Sequence, residues 1–150
     1  MKDIDKINNR ILRELEKDGR ISNTELANRV GLSASACLRR VQELERSNVI
    51  SGYKAVINPE RVGIGCIAYV GVGLNNHSKD AQSAFEFAMS LASEVRECHN
   101  VTGAYEYLLR VETSNLSRYR EFHRDVLGVV PQVTSITTFM VMDSSKDERA

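Results

Sequence analysis

The sequence predicts an α+β protein in two parts, a helical N-terminal part and a C-terminal part that alternates strands and helices. The chain has 150 residues, of which 42% are hydrophobic and 27% charged. This composition is ordinary for globular domains, and the length allows two small cores. All four Phe residues follow Asn58-Pro59, and a strand–helix–strand pattern occurs twice beyond that point. We therefore predict domains at 1–60 and 61–150, with a hinge around 58–63.

Three amphipathic helices are predicted in residues 1–60. The first ends at Asp18-Gly19 and has one apolar face, formed by Ile7, Ile11, Leu12 and Leu15. The second begins with a capping box, in which Ser22 accepts from the Glu25 amide and Glu25 reaches back. Gly31 ends the second helix, and Ser33 is the predicted N-cap of the third. Two short strands are expected around Ser51-Gly52.

Two short helices joined by Gly31-Leu32 are typical of a helix-turn-helix, whose third helix here would read DNA. With Cys37, Val41 and Leu44 facing inward, polar side chains cover the outer face. Arginine pairs with guanine or phosphate, glutamine with adenine, and serines at a helix N-terminus hold phosphate. The predicted DNA-binding residues are Ser33, Ser35, Arg39, Arg40, Gln42 and Arg46. The alternative is a solvated face, on which Glu43 and Glu45 neutralise the arginines.

The C-terminal part divides into two strand–helix–strand units of similar length. The predicted strands are 65–74, 95–101, 105–112 and 133–142. The pattern predicts a ferredoxin-like βαββαβ domain, a four-stranded antiparallel sheet with two helices on one side. In the last strand, alternation predicts one face formed by Val133, Thr137, Phe139 and Val141.

The loop before the third of these strands is a candidate ligand site. Gly103 lets the backbone approach a ligand closely, and loop amides can donate hydrogen bonds to a carboxylate. The carboxylate of Glu106 can pair with an ammonium group. The alternative is a plain hairpin turn, in which Tyr105 and Tyr107 are packing residues.

Several other classes of protein are excluded or disfavoured. Lys and Arg total 20 and Asp and Glu total 20, so any contact with nucleic acid must come from a local patch. The three Cys residues are too far apart for a disulfide scaffold or a zinc ribbon, and we expect neither a metal nor a cofactor. The N-terminus lacks the apolar core of a signal peptide, and the apolar stretch 62–74 is too short to cross a membrane. We expect a cytoplasmic protein.

Three motifs, in this order, resemble those of the Lrp/AsnC family of feast/famine transcription regulators. Residues 21–50, ISNTELANRVGLSASACLRRVQELERSNVI, resemble its DNA-binding module. Residues 51–59 with Val62-Gly63 are similar to its wing and hinge, and residues 101–111, VTGAYEYLLRV, to the loop and strand of its effector-binding domain. The resemblance implies a winged helix-turn-helix that binds DNA. It also implies a ferredoxin-like domain that dimerises, assembles dimers into larger rings, often octamers, and binds amino acids between dimers.

The resemblance also implies a set of effector-binding positions. These are Gly103, Ala104, Tyr105 and Glu106 in the loop, and Ser135, Ile136, Thr137 and Thr138 in the last strand. Glu106 stands where the family more commonly has Asp, which lengthens this side chain by one methylene group.

Three functions compete at this point. The first is a dimeric or octameric DNA-binding regulator that responds to a small amino acid. The second is an amino-acid sensor that acts through protein contacts with weak or no specific DNA binding. The third is an enzyme on the ferredoxin-like half, such as an acyl-phosphate hydrolase, but the sequence contains no nucleophile–base pattern and we expect no enzyme.

Overall fold

The computed structural model describes residues 5–147. The chain forms two compact units that divide between Ala55 and Val56, close to the predicted hinge. We refer to them as the helical unit and the sheet unit, and each is described separately.

Three helices form the helical unit: α1 (Lys6–Lys17), α2 (Asn23–Val30) and α3 (Ala34–Arg46). Both predicted serine caps are confirmed, because Ser22 Oγ accepts from the Glu25 amide and Ser33 Oγ accepts from the Ala36 amide. The Glu25 carboxylate pairs with Arg29 and not with the Ser22 amide. The apolar faces of the helices share one buried core, formed by Ile11, Leu26, Ala27, Val30, Cys37 and Leu44.

The turn between α2 and α3 fixes the position of the third helix. Gly31 adopts a left-handed conformation with φ of 74°, which glycine reaches without steric cost. The Leu32 amide then donates to the Ala27 carbonyl at 2.9 Å. Because Ala27 is small and fully buried, the two helices approach closely at this turn.

The two strands predicted around Ser51-Gly52 are wrong. Residues 51–58 form neither helix nor strand, and Tyr53, Val56 and Ile57 are more than half exposed. A two-stranded ribbon without a covered apolar face is marginal in water, so β-forming residues alone do not produce it.

The sheet unit has the predicted order of elements: β1 (Cys66–Leu74), α4 (Lys79–Leu91), β2 (Val95–Asn100), β3 (Tyr107–Thr113), α5 (Leu116–Phe122) and β4 (Val133–Met140). One π-helical turn, His123–Leu127, extends α5. The strand order is β2-β3-β1-β4, and every neighbouring pair is antiparallel. This is the ferredoxin-like arrangement, so the predicted fold class is confirmed.

The two faces of the sheet differ in what covers them. One face packs against α4 and α5, and its core includes Val70, Val72, Phe85, Leu109 and Phe122. The opposite face, called here the open face, carries the alternate residues of the same strands, including Tyr69, Gly71, Gly73 and Arg110.

The predicted single face of the last strand is wrong at Val133. The β1–β4 register shifts between Gly73 and Leu74, because Gly73 pairs with Ser135 and Leu74 with Val133. Thr134 is therefore an extra residue, a β-bulge that reverses the alternation. Val133 packs on the helix-covered core, whereas Thr137 and Phe139 lie on the open face.

Candidate DNA-reading helix and effector loop

Helix α3 presents its N-terminus and one long side to solvent. Ser33 caps the helix, and its hydroxyl lies 3.4 Å from that of Ser35. Both side chains are exposed, and the first turn contains no acidic residue. The positive end of the helix dipole is therefore accessible to an anion such as a DNA phosphate.

Arg39 and Gln42 lie on the exposed side of α3 about one turn apart. Neither side chain forms a hydrogen bond or an ion pair with any residue in the described range 5–147. Their donor groups therefore remain available for base edges or phosphates.

Arg40 is committed within the helical unit. Its guanidinium donates to Asp5 Oδ2 at 2.6 Å and to Asn8 Oδ1 at 3.0 Å, and its side chain is only 30% exposed. The Asp5 carboxylate in turn caps α1 by accepting from the Asn8 amide, and this bond, followed by Arg40, lowers the pKa of Asp5. Arg40 therefore joins α3 to α1, and contact with DNA would require it to leave these partners.

The acidic residues of α3 also have partners. Glu43 forms a bidentate ion pair with Arg46. Arg46, which is one of the predicted DNA-binding residues, is therefore partly neutralised. Glu45 accepts from the Tyr53 hydroxyl at 2.8 Å, and burial, followed by this bond, raises the pKa of Tyr53. Glu43 thus partly neutralises Arg46, as the alternative of a solvated face predicts. Arg39 has no such partner among residues 5–147.

In the sheet unit, the predicted effector loop is tied to β1 through Glu106. The Glu106 amide donates to the Val72 carbonyl at 3.1 Å. Its Oε2 accepts from the Leu74 amide at 2.8 Å, at the register shift, and its Oε1 lies 3.5 Å from His77 Nδ1. The Glu106 side chain remains 23% exposed. Glu106 therefore holds the loop on the strand while keeping one side towards solvent.

Two glycines of β1 provide the space that the loop occupies. A Cβ at Gly71 would lie 2.5–2.7 Å from ring carbons of Tyr105, so this ring rests directly on the strand. A Cβ at Gly73 would meet Ser135 Oγ and come within 3.5 Å of Glu106 Oε2. Because Gly73 has no side chain, the Ser135 hydroxyl and the Glu106 carboxylate can both lie beside this residue.

The eight predicted effector positions divide into two groups. Tyr105 and Glu106 lie with Ser135 and Thr137 on the open face, and Gly103 and Ala104 are exposed at the tip of the loop. Ile136 and Thr138 point to the opposite, helix-covered face. Ile136 packs on the core there, and the Thr138 hydroxyl bonds the Tyr119 hydroxyl. Side chains alternate along a strand, so four successive residues cannot all face one ligand.

Sequence reasoning missed two partners of this loop. These are His77, which precedes α4, and the Leu74 amide, which becomes available only at the bulge. Neither has a sequence signal, because the Leu74 amide depends on the β1–β4 register and His77 meets a residue 29 positions later in the chain.

Both parts of the chain match families of known proteins. Residues 4–51 match the model of a winged helix-turn-helix DNA-binding domain. Residues 67–150 match the model of the Lrp/AsnC ligand binding domain. The chain belongs to the Lrp/AsnC family of transcriptional regulators.

Individual relatives of this Lrp/AsnC protein cover almost its whole length. The leucine-responsive regulatory protein of Escherichia coli is 41% identical over 145 residues, which are 97% of this chain and 88% of that protein. A transcriptional regulator of Neisseria meningitidis, solved as a complex with L-methionine, is 33% identical with a TM-score of 0.91 and covers 95% of this chain and 92% of its own. A feast or famine regulatory protein of Mycobacterium tuberculosis, complexed with L-methionine, is 31% identical with a TM-score of 0.83, over 98% and 97% of the two chains.

Among the described residues, no helix is long and apolar enough to cross a membrane. Residues 5–147 also contain no group of three or more His, Cys, Asp or Glu side chains placed to hold a metal ion.

Proposed function

We propose that this regulator binds a small amino acid at the effector loop and that the bound amino acid changes its affinity for specific DNA sites. The observation that carries the proposal is that the Glu106 carboxylate and the Ser135 hydroxyl both border the space left by the missing side chain of Gly73. This places a partly exposed anion and a neutral hydrogen-bonding group in one small region of the open face.

An α-amino acid has charges that suit this region. Its ammonium group pairs with the exposed side of the Glu106 carboxylate. Its carboxylate accepts from the Ser135 hydroxyl and from amides of the exposed loop tip, where Gly103 has φ of 127°. The two relatives solved with L-methionine support an amino acid as the ligand class.

The DNA half of the proposal rests on α3. Arg39 and Gln42 supply donors that have no partner among residues 5–147, and Ser33 and Ser35 supply phosphate contacts at the helix N-terminus. One copy has few cations at this face, so we propose that two copies bind two half-sites. The open face supports pairing, because it exposes Phe139 and leaves Ile67 and Tyr69 partly exposed. We further propose that such dimers assemble into larger rings and that the amino acid binds between dimers.

The response to the ligand follows from linkage. A bound amino acid changes DNA affinity only to the extent that it binds the DNA-competent arrangement more or less tightly than the other arrangement. The sign of the response is therefore a measurable property of the complex, and DNA changes the amino-acid affinity by the same factor.

The test uses the variant Glu106→Gln. The amide oxygen of glutamine still accepts from the Leu74 amide, so the loop keeps its anchor, but the negative charge is lost. All twenty amino acids are screened with the wild-type chain by thermal shift, beginning with L-leucine and L-methionine. A ligand at one hundred times its Kd stabilises the folded state by about 2.7 kcal/mol, which is easily detected.

We expect the wild-type chain to respond to at least one amino acid and Glu106→Gln to lose that response. Glu121→Gln, which changes a partly exposed glutamate on α5 that pairs with Arg118, is the matched control and should respond as the wild type does. A full response in Glu106→Gln contradicts the assignment of this site. A ligand response without specific binding to any DNA duplex favours the sensor that acts through protein contacts.

A further inference from the structure

An apolar side chain interrupts the polar surface of α3. Leu38 is 47% exposed, although it lies in the middle of an ordered helix of 13 residues. The helical unit does not need Leu38 for its core, because Cys37 and Leu44 of the same helix are already buried there.

Leu38 lies beside the candidate reading residues. At about 100° per residue it is about 60° around the helix axis from Ser35, and it stands one turn before Gln42. Residues three and four apart on a helix are neighbours, so Leu38 and Gln42 form one surface with Ser35. Arg39 follows Leu38 in sequence and flanks the other side of this surface.

We propose that Leu38 reads a thymine by contacting its 5-methyl group in the major groove. This inference rests on the proposed binding of DNA by α3 and adds a determinant of sequence to it. Thymine alone among the four bases presents a methyl group in that groove. An exposed leucine among donor groups therefore matches thymine, just as the neighbouring amide of Gln42 matches adenine.

The proposal also predicts the arrangement of the half-site. Cβ atoms one turn apart on a helix lie about 5–6 Å from each other, which is between one and two base-pair steps of about 3.4 Å. We therefore expect the thymine read by Leu38 to lie next to, or one base pair away from, the base pair that Gln42 contacts.

The experiment removes the methyl group from the DNA and the side chain from the protein. A duplex is selected from a random pool with the wild-type chain, and each thymine in turn is replaced by deoxyuridine, which lacks only the 5-methyl group. Removing one buried methyl group should weaken binding about fourfold, equivalent to about 0.8 kcal/mol. Leu38→Ala should bind the thymine and deoxyuridine duplexes equally, and Leu38→Met, which stays apolar, should still discriminate.

A matched control comes from the same unit. Val49→Ala shortens another exposed apolar side chain outside α3 and should retain the full deoxyuridine effect. Thermal unfolding of all variants verifies that they fold. The inference is overturned if no thymine is sensitive in the wild type, or if Leu38→Ala remains sensitive at the same thymine.

Binding by the wild type and by Arg39→Ala distinguishes a failure of α3 as the DNA-binding helix from a failure of Leu38 alone. If the wild-type chain selects no duplex, or if Arg39→Ala leaves its affinity unchanged, the role of α3 in DNA binding fails and the role of Leu38 fails with it. If binding is specific and depends on Arg39 but no deoxyuridine substitution matters, only the inference about Leu38 fails.

Discussion

The exposed side of α3 and the effector loop satisfy their polar groups in opposite ways. On α3, Arg39 and Gln42 have no partner among residues 5–147. In the loop, the Glu106 carboxylate already accepts from the Leu74 amide and approaches His77. The helix therefore offers free donors on a rigid support, whereas a ligand at the loop must share the Glu106 carboxylate with bonds inside the protein. Binding to the first surface depends on which side chains are present, and binding to the second depends also on the bonds that already hold the loop.

The largest expected effect separates two adjacent arginines. Arg39→Ala should weaken binding to a two-half-site duplex about 30-fold, since each half-site loses a contact of about 1 kcal/mol. Arg40→Ala should weaken binding much less but lower the thermal unfolding midpoint, because it removes the bonds to Asp5 and Asn8. Fluorescence anisotropy and thermal unfolding measure the two quantities. Equal effects of the two variants on DNA affinity would contradict the distinction between free and committed side chains.

The next expected effect concerns Gly73 of β1, beside which Ser135 and Glu106 pack. Gly73→Ala should lower the free energy of unfolding by about 1–3 kcal/mol, because its methyl group meets Ser135 Oγ within the sheet. The double variant Gly73→Ala/Ser135→Ala removes that hydroxyl and should recover most of the loss in urea unfolding. Failure of the double variant to recover stability would show that the close approach at Gly73 is not the cause.

The smallest expected effect distinguishes two equivalent caps. Ser22→Ala and Ser33→Ala should each lower the free energy of unfolding by about 1 kcal/mol, since each removes one N-cap bond. Only Ser33 lies at the N-terminus of α3, so only Ser33→Ala should also weaken DNA binding. If both variants bind DNA as the wild type does, the N-terminus of α3 does not contact phosphate.

Features determined by neighbouring residues could be predicted from the sequence. The caps at Ser22 and Ser33, the end of the second helix at Gly31 and the repeated strand–helix–strand order are confirmed, because each depends on residues a few positions apart. The same holds for the division of α3 into a buried side, with Cys37 and Leu44, and an exposed side.

Features determined by distant partners could not be predicted. The partner of Arg40 is Asp5, 35 positions earlier, and nothing local signals that pair. The extra residue Thr134 reverses the alternation of β4, so Val133 and Ile136 lie on the same side, which a strict period of two excludes. The approach of Tyr105 to Gly71 likewise follows from where the loop meets β1 and not from the composition of either segment.

The bond between Glu106 and the Leu74 amide makes one backbone amide of the sheet unit sensitive to a ligand at the effector loop. That amide sits at the register shift beside β4 and has a side-chain carboxylate as its acceptor. If the ammonium group of a bound amino acid draws the Glu106 carboxylate away, the Leu74 amide loses its acceptor and its proton exchanges with solvent. Deuterium uptake at this one backbone position would therefore record occupancy of the loop directly, in a protein that has no tryptophan to serve as a fluorescent reporter.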